Sequence, residues 1–562
     1  MSALLLAAAW TAAGADAATA GGPTVGPAPS TSLSAPVDPS LSAAVAADPL
    51  GNVHVIVQAQ DVRTAVEVVA AAGGSVRRQL PIVLGVAADV PAGAVQTLAA
   101  SAGVKAVSLD GHVSGSADTG FAPADPNQWQ SAAGVNALWG TDAPVPAIAV
   151  IDSGVDATRA ADFGARVVAQ VNLSSREPGA TGDDFGHGTM VAGLAAGGSS
   201  SYPGAAPTAN IVSIRTADSQ DESLVSDVVA GAQWVLDHHG DYGIQVVNLS
   251  LVSGNPSSFV DDPLDQALEQ LWFNGIVVVA AAGNSGGPLR MDYAPASDPF
   301  IIVVGATETN GTAATSDDVV ASFSAYGRSW DGFARPDLVA PGRYMTAPSP
   351  AAGALTAQYP SNVVAPGYLR LSGTSFAAPV VAGTAAQLLA RHPLWTPDQV
   401  KGALMQSTSA VAPETPTGAA GTGELNAAAA AALDAPINPN AALDQYVTTD
   451  ASSGRISFRD EQWSHAVQRD PAGWDAPVAG QAWGSAWGSA WGSYAWGSVW
   501  REALWVGDAG VATATGDAWG SAWGSAWGSA WGSAWGSAWG SFAWGSAWGS
   551  AWGSAWGSSI GD

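Results

Sequence analysis

Three short stretches place reactive side chains where the chain passes from one element to another. In "AIAVIDSGVD" (147–156), Asp152 ends an apolar run and enters a Ser-Gly turn. In "DFGHGTMVAGLAAG" (184–197), His187 sits between glycines at the start of a helical pattern. In "GTSFAAPVVAG" (373–383), Ser375 follows a Gly-Thr turn, and an Ala/Val-rich helix reads from Phe376 onward. Taken singly, each has an ordinary explanation. The aspartate could serve an Asx-type turn, the histidine could be a structural or exposed loop residue, and the serine could cap a helix. Taken together they are a hydroxyl, a base and a carboxylate, the set that nucleophilic acyl transfer requires. The first turn of a helix adds free N–H donors and positive dipole potential where an oxyanion forms. A fourth stretch, "AAAGN" (280–284), ends another apolar run at Asn284, whose side-chain amide can donate to that oxyanion.

The elements that must position these groups follow an α/β pattern. Between about 128 and 435 the apolar runs are 147–152, 210–216, 244–251, 275–284 and 300–307, with helical patterns at 188–197, 222–239 and 262–274 between several of them. Strands apolar on both faces, alternating with helices, predict a mainly parallel sheet covered on both sides. Functional loops of such sheets gather at the carboxyl ends of the strands. Ahead of this body, residues 48–112 read strand, helix, strand, helix, strand, a small α+β unit. Residues 21–47 read as a Pro/Ser/Ala-rich linker, 113–127 as a second loose linker, and 436–480 as a segment without periodicity.

With four motifs in register, the sequence resembles the subtilisin family of serine proteases. "IDSGVD", "GHGTMVAG", "AAAGN" and "GTSFAAP" match in the order Asp, His, Asn, Ser, and "GTGELNAAAAAA" (421–432) resembles the turn and helix that close such domains. The resemblance implies a three-layer α/β fold over 128–435 and an Asp152–His187–Ser375 triad with Asn284 as oxyanion donor. It implies peptide or protein substrates bound along "NLSLVSG" (248–254), with Ser250, Leu251, Val252 and Gly283 as substrate-binding positions. Val252 stands where many members carry glycine. Ser285 follows Asn284 with no acidic residue close by, so a neutral or apolar P1 side chain is expected. The resemblance also recasts 48–112 as a prodomain that assists folding and inhibits the enzyme, with 113–127 as the processing region. The dibasic pair Arg77-Arg78 is expected to be solvated. No cofactor is expected. Structural calcium, which several members use, finds no support in the short, carboxylate-free loop 193–207, and the acidic clusters 183–186 and 316–318 read as solvated. His238 and His239 read as residues complementing a helix C-terminus.

Composition limits the alternatives. There is no cysteine, which excludes disulfides, a thiol nucleophile and Cys-ligated zinc. Lys and Arg number 19 against 47 Asp and Glu, a formal charge of -28 that repels nucleic acid and anionic membranes. The start, "MSALLLAAAWTAAGADAATA", has an apolar core and Ala-x-Ala patterns like a secretory signal, without the usual positive n-region. Export to the medium or cell surface is therefore expected, and no later segment reads as a membrane span.

Residues 481–562 hold fourteen Trp-Gly-Ser units, interrupted at 499–518. Glycine at every fourth position disfavours a helix. As a strand, Trp and Ser share one face, and successive indoles stand about 13 Å apart. A low-complexity exported tail, a repetitive β-array and a surface-binding array of indoles all fit this pattern, with self-association or a surface as the partner. A competing reading makes this repeat the working part of a surface or assembly protein whose protease-like body is a scaffold.

Overall fold

The computed structural model describes residues 35–114, 128–140, 143–459 and 462–463. The expected signal segment, most of the linker 21–47, most of the segment 113–127 and the tryptophan repeat lie outside the described residues.

The N-terminal unit is built from α1 (Pro39–Ala47), β1 (Asn52–Ala59), α2 (Val62–Ala71), β2 (Ser75–Leu80), β3 (Gly85–Pro91), α3 (Val95–Ala99) and β4 (Val104–Leu109). Its antiparallel sheet runs β2-β3-β1-β4 and has its own core around Val55, Val57, Val69, Val86 and Leu98. The expected linker is corrected at its end. α1 starts at Pro39, and Asp38 accepts from the Leu41 N–H at 2.7 Å, so Leu41 joins this core.

The body is an eight-stranded sheet. Its parallel centre is β12 (Val277–Ala281), β10 (Ile244–Leu249), β6 (Ala147–Asp152), β8 (Ile211–Arg215) and β7 (Val167–Asn172), in that spatial order. The strand Ile302–Glu308 extends it beyond β12, pairing in parallel with Leu338–Pro341 and antiparallel with Val319–Val320. Every residue of β6 and β12 is buried, as expected of strands covered on both faces. A histidine helix (His187–Ala196) and a serine helix (Thr374–Arg391) pack side by side on one face. Helices Val225–Tyr242 and Pro263–Phe273 pack against each other and against the sheet. Among the described residues no helix is long and apolar enough to cross a membrane.

The segment after β4 is not a loose linker at its start. β5 (His112–Ser114) lies antiparallel between β9 (Glu222–Leu224) and β11 (Val252–Ser253), two edge strands of the body. Strands this short gain their ladder bonds only from the segment between them. Docking continues through polar contacts. Asp110 accepts from Ser226 N and Oγ at 2.9 and 2.8 Å, so it satisfies donors at the start of helix Val225–Tyr242. Arg77 and Arg78, expected to be solvated, are engaged instead: Arg77 pairs with Asp89 and Asp110, while Arg78 reaches Asp227 of the body at 2.8 Å and Leu173 O at 3.0 Å. The buried acids Asp110 and Asp227 draw these cations in, which the local sequence does not reveal. We expect Arg78→Ala to cost about 2 kcal/mol in a denaturant titration, because the Asp227 side chain is fully buried. Faster amide exchange across residues 52–109 should accompany it.

The segment 436–480 is also corrected where it is described. A hairpin of Val447–Thr449 and Ile456–Phe458 folds onto the body. The Phe458 and Trp463 rings lie 5.5 and 5.2 Å from Phe259. Arg455 donates to Ile82 O of the N-terminal unit. Isolated aromatic anchors carry this packing, so no periodic pattern announces it.

Candidate active site

Asp152 stands at the carboxyl end of β6. Its Oδ1 accepts from Ser153 N at 2.8 Å and lies 2.8 Å from His187 Nδ1. His187 opens the histidine helix directly after Gly186, whose φ of 111° lies in the region that favours glycine. The approach of the helix to the aspartate loop requires a second glycine. A Cβ on Gly188 would stand 2.2 Å from Gly154 O and 3.1 Å from the Asp152 side chain.

Asp183 ties the two loops together. Its Oδ1 accepts from Ser153 Oγ at 2.9 Å and Gly186 N at 2.7 Å, and its Oδ2 from Thr189 N at 2.8 Å. Ser153 Oγ accepts in turn from Gly188 N at 3.0 Å. The acidic cluster 183–186 was expected to be solvated, yet Asp183 is buried, and burial pushes its pKa up against these bonds. Sequence reading missed Asp183 as a positioning residue. The signal available was its spacing, four residues before the histidine and six before Thr189. The second expected solvated cluster is corrected likewise: Asp318 is buried beside Glu424, and burial raises its pKa to about 6.

Ser375 lies in the first turn of the serine helix, behind Gly373, and it does not cap the helix. Its hydroxyl donates to Ser250 O at 3.1 Å, and the Ser250 hydroxyl donates to Ser375 O at 2.7 Å. This reciprocal pair fixes the helix start against the strand end at 250. The neighbouring Phe376 ring lies 5.5 Å from the His187 ring. Asn284 follows β12 and Gly283, and its Oδ1 accepts from Thr374 N at 2.8 Å and Thr374 Oγ1 at 2.9 Å. The oxygen side of the amide is thus turned to the helix start, with Gly283 N bonded to Thr374 Oγ1 at 3.0 Å. Val252 lies in β11 opposite Ser114, and its Cγ2 comes within 3.5 Å of where a Cβ on Gly283 would be.

The cavity beside β5 is lined by Asp152, His187, Ser250 and Leu251, together with Thr216 and Asp221. Among the described residues, His187 Nε2 and Asp152 Oδ2 are buried without a hydrogen-bond partner. The bond between imidazole and Ser375 hydroxyl is therefore not made with β5 between β9 and β11, and such bonds often tighten only around a reacting substrate. Burial acts to lower the His187 pKa, but the charge and hydrogen bond of Asp152, with the charges of Asp221 and Asp183, outweigh it and raise the pKa to about 9. Asp152, His187 and Asp221 present donor atoms within 4.8 Å of one another, a spacing that also suits a metal. Here the Asp152–His187 pair is already bonded internally, so the group reads as an imidazole–carboxylate dyad with a further acid beside it. With β5 in place the arrangement holds the imidazole protonated below about pH 9, the charged form that a general base reaches after taking up a proton.

Comparison with known proteins points the same way. The Subtilase family model matches residues 145–424. Serine protease AprX of Bacillus subtilis (strain 168) is 34% identical over 290 residues, 50% of this chain and 64% of AprX. Subtilisin DY of Bacillus licheniformis is 34% identical over 266 residues, 47% of this chain and 83% of that protein. The chain belongs to the subtilase family. Among solved structures, fervidolysin from Fervidobacterium pennivorans, a keratinolytic enzyme related to subtilisin, superposes with a TM-score of 0.55 at 23% identity, covering 69% of this chain and 62% of that one. That likeness establishes the fold, with a mainly parallel central sheet and a small α+β unit before it. The match spans less than two thirds of AprX and of fervidolysin. In this subtilase the matched region holds Asp152, His187, Asn284 and Ser375, and β5, outside that region, pairs with β9 and β11 inside it.

Proposed function

We propose that this subtilase is a serine endopeptidase, exported and made as a self-inhibited precursor. Ser375 attacks the scissile carbonyl. His187 takes the hydroxyl proton and returns it to the leaving amine, and Asp152 holds the imidazole tautomer and balances its charge. Asn284 and the Ser375 N–H stabilise the tetrahedral oxyanion. The chain supplies the nucleophile, the base and the oxyanion donors itself, so the mechanism calls for no cofactor. The carrying observation is the 2.8 Å bond of His187 Nδ1 to Asp152, with Nε2 of the same ring buried beside the groove. Residues 48–112 act as the prodomain and 113–127 as the processing region, since β5 occupies the groove as a bound peptide would, by strand addition. Export rests on the leader-like 1–20, and the tryptophan repeat after about 481 serves as an exported tail.

The test is labelling by a fluorophosphonate probe, before and after release of the N-terminal unit. We expect one labelled serine, Ser375, with labelling increasing on release. A chain that stays unlabelled after release would defeat the proposal. For the oxyanion role, Asn284→Ala should lower kcat on the order of 10²–10³ with KM little changed. That magnitude is the one known for the equivalent donor in subtilisin itself. A loss carried in KM alone would remove Asn284 from the role.

A further inference from the structure

The ladder around β5 shows which enzyme residues flank each position of a bound peptide. Ser114 lies opposite Glu222 on one side and Val252 on the other, and Val113 lies opposite Ser223 and Ser253. One step further along the same register, a peptide residue is flanked by Asp221 and Leu251. A second step reaches Ser250, whose carbonyl accepts from the Ser375 hydroxyl at 3.1 Å. The residue beside Ser250 is therefore the one whose carbonyl is attacked, P1. The residue between Asp221 and Leu251 is P2.

Three observations place the Asp221 carboxylate at that P2 position. It lines the cavity that holds His187, Asp152 and Leu251. Its donor atom lies within 4.8 Å of those of Asp152 and His187. Asp221 is buried in the groove although it belongs to the polar stretch "ADSQDES". Its backbone sits at φ 64°, a region that costs most side chains energy but which aspartate and asparagine tolerate. Asp221 immediately precedes β9.

We propose that Asp221 makes the P2 subsite of this enzyme a cation-binding position, so that substrates with Lys or Arg at P2 are preferred whatever neutral residue occupies P1. The assignment rests on the endopeptidase reading above. A long cationic side chain at P2 reaches along Leu251 with its stem and places its charge against the carboxylate, a charge-assisted contact in a site shielded from bulk water.

The experiment uses the processed enzyme and a fluorogenic peptide series identical except at P2, which is Lys, Arg, Ala or Glu. We expect kcat/KM for Lys and Arg to exceed that for Ala on the order of tenfold, with Glu below Ala. The Lys-to-Ala ratio should shrink as salt is raised. In Asp221→Asn, which keeps shape and backbone tolerance, the same ratio should fall to near one. Because the ratio is internal to each enzyme, it reads P2 recognition even when the overall rate changes. Equal rates for Lys and Ala in the parent enzyme, or a ratio unaltered by Asp221→Asn, would overturn the assignment while leaving the endopeptidase reading intact. No hydrolysis of any peptide, with no fluorophosphonate labelling, would overturn both.

Discussion

Ser375→Ala should yield a folded chain whose peptide hydrolysis is slower on the order of 10⁶-fold, the magnitude known for nucleophile removal in subtilisin, a member of the same family. The structural cost is small. The hydroxyl donates to Ser250 O, while the helix start stays held by Ser250 Oγ on Ser375 O and by Asn284 on Thr374. Losing one such bond costs about 1 kcal/mol, so the melting transition should shift by only a few degrees. The variant should also remain one intact chain, since the proposed processing uses the same serine. Mass spectrometry of the purified protein checks this beside the kinetics. A variant within tenfold of the parent, or one cut at the same bond, would show that Ser375 is not the nucleophile.

How much of this could be read in the sequence depends on which force formed each part. The central strands were legible because burial on both faces demands continuous apolar runs, as in β6 and β12. The Asp152–His187 pairing was legible because glycines constrained by close approach, such as Gly188 against Gly154 O, bracket the two residues in fixed motifs. Groups whose environment is made by distant segments were not. Asp183 reads as a surface acid until Ser153 and Thr189 close around it. Arg78 reads as solvated until Asp227, 149 positions later, meets it. β9 and β11 are too short to signal themselves and become strands only with β5 between them. Asp221 belongs to this class as well. In the chain it is one acid in a polar loop, and only the register of β5 assigns it a neighbour in the substrate.

The second large effect expected is at Asp152. In Asp152→Asn the side chain keeps its size, so the fold should persist, but a neutral amide can donate to His187 Nδ1 and leave the ring proton on Nε2. That tautomer cannot accept from Ser375, and kcat should fall on the order of 10⁴-fold, the loss known for this change in a Ser-His-Asp triad. The charge has a second consequence, readable in stability. With β5 in the groove, the His187 pKa of about 9 lies above its ordinary 6.5. A raised folded-state pKa stabilises fully below 6.5, and that contribution is lost as pH rises through about 9. Asp152 is the largest source of the elevation, ahead of Asp221 and Asp183, and works against a burial effect that alone would lower the pKa. Removing it should therefore flatten the decline of melting temperature between pH 6.5 and 9. The comparison is made between Ser375→Ala and the Ser375→Ala/Asp152→Asn double variant, both of which stay uncut with β5 in place. Parallel melting curves across that window would mean that the Asp152 charge does not hold the imidazolium. A kcat within tenfold of the parent would mean that it does not set the tautomer.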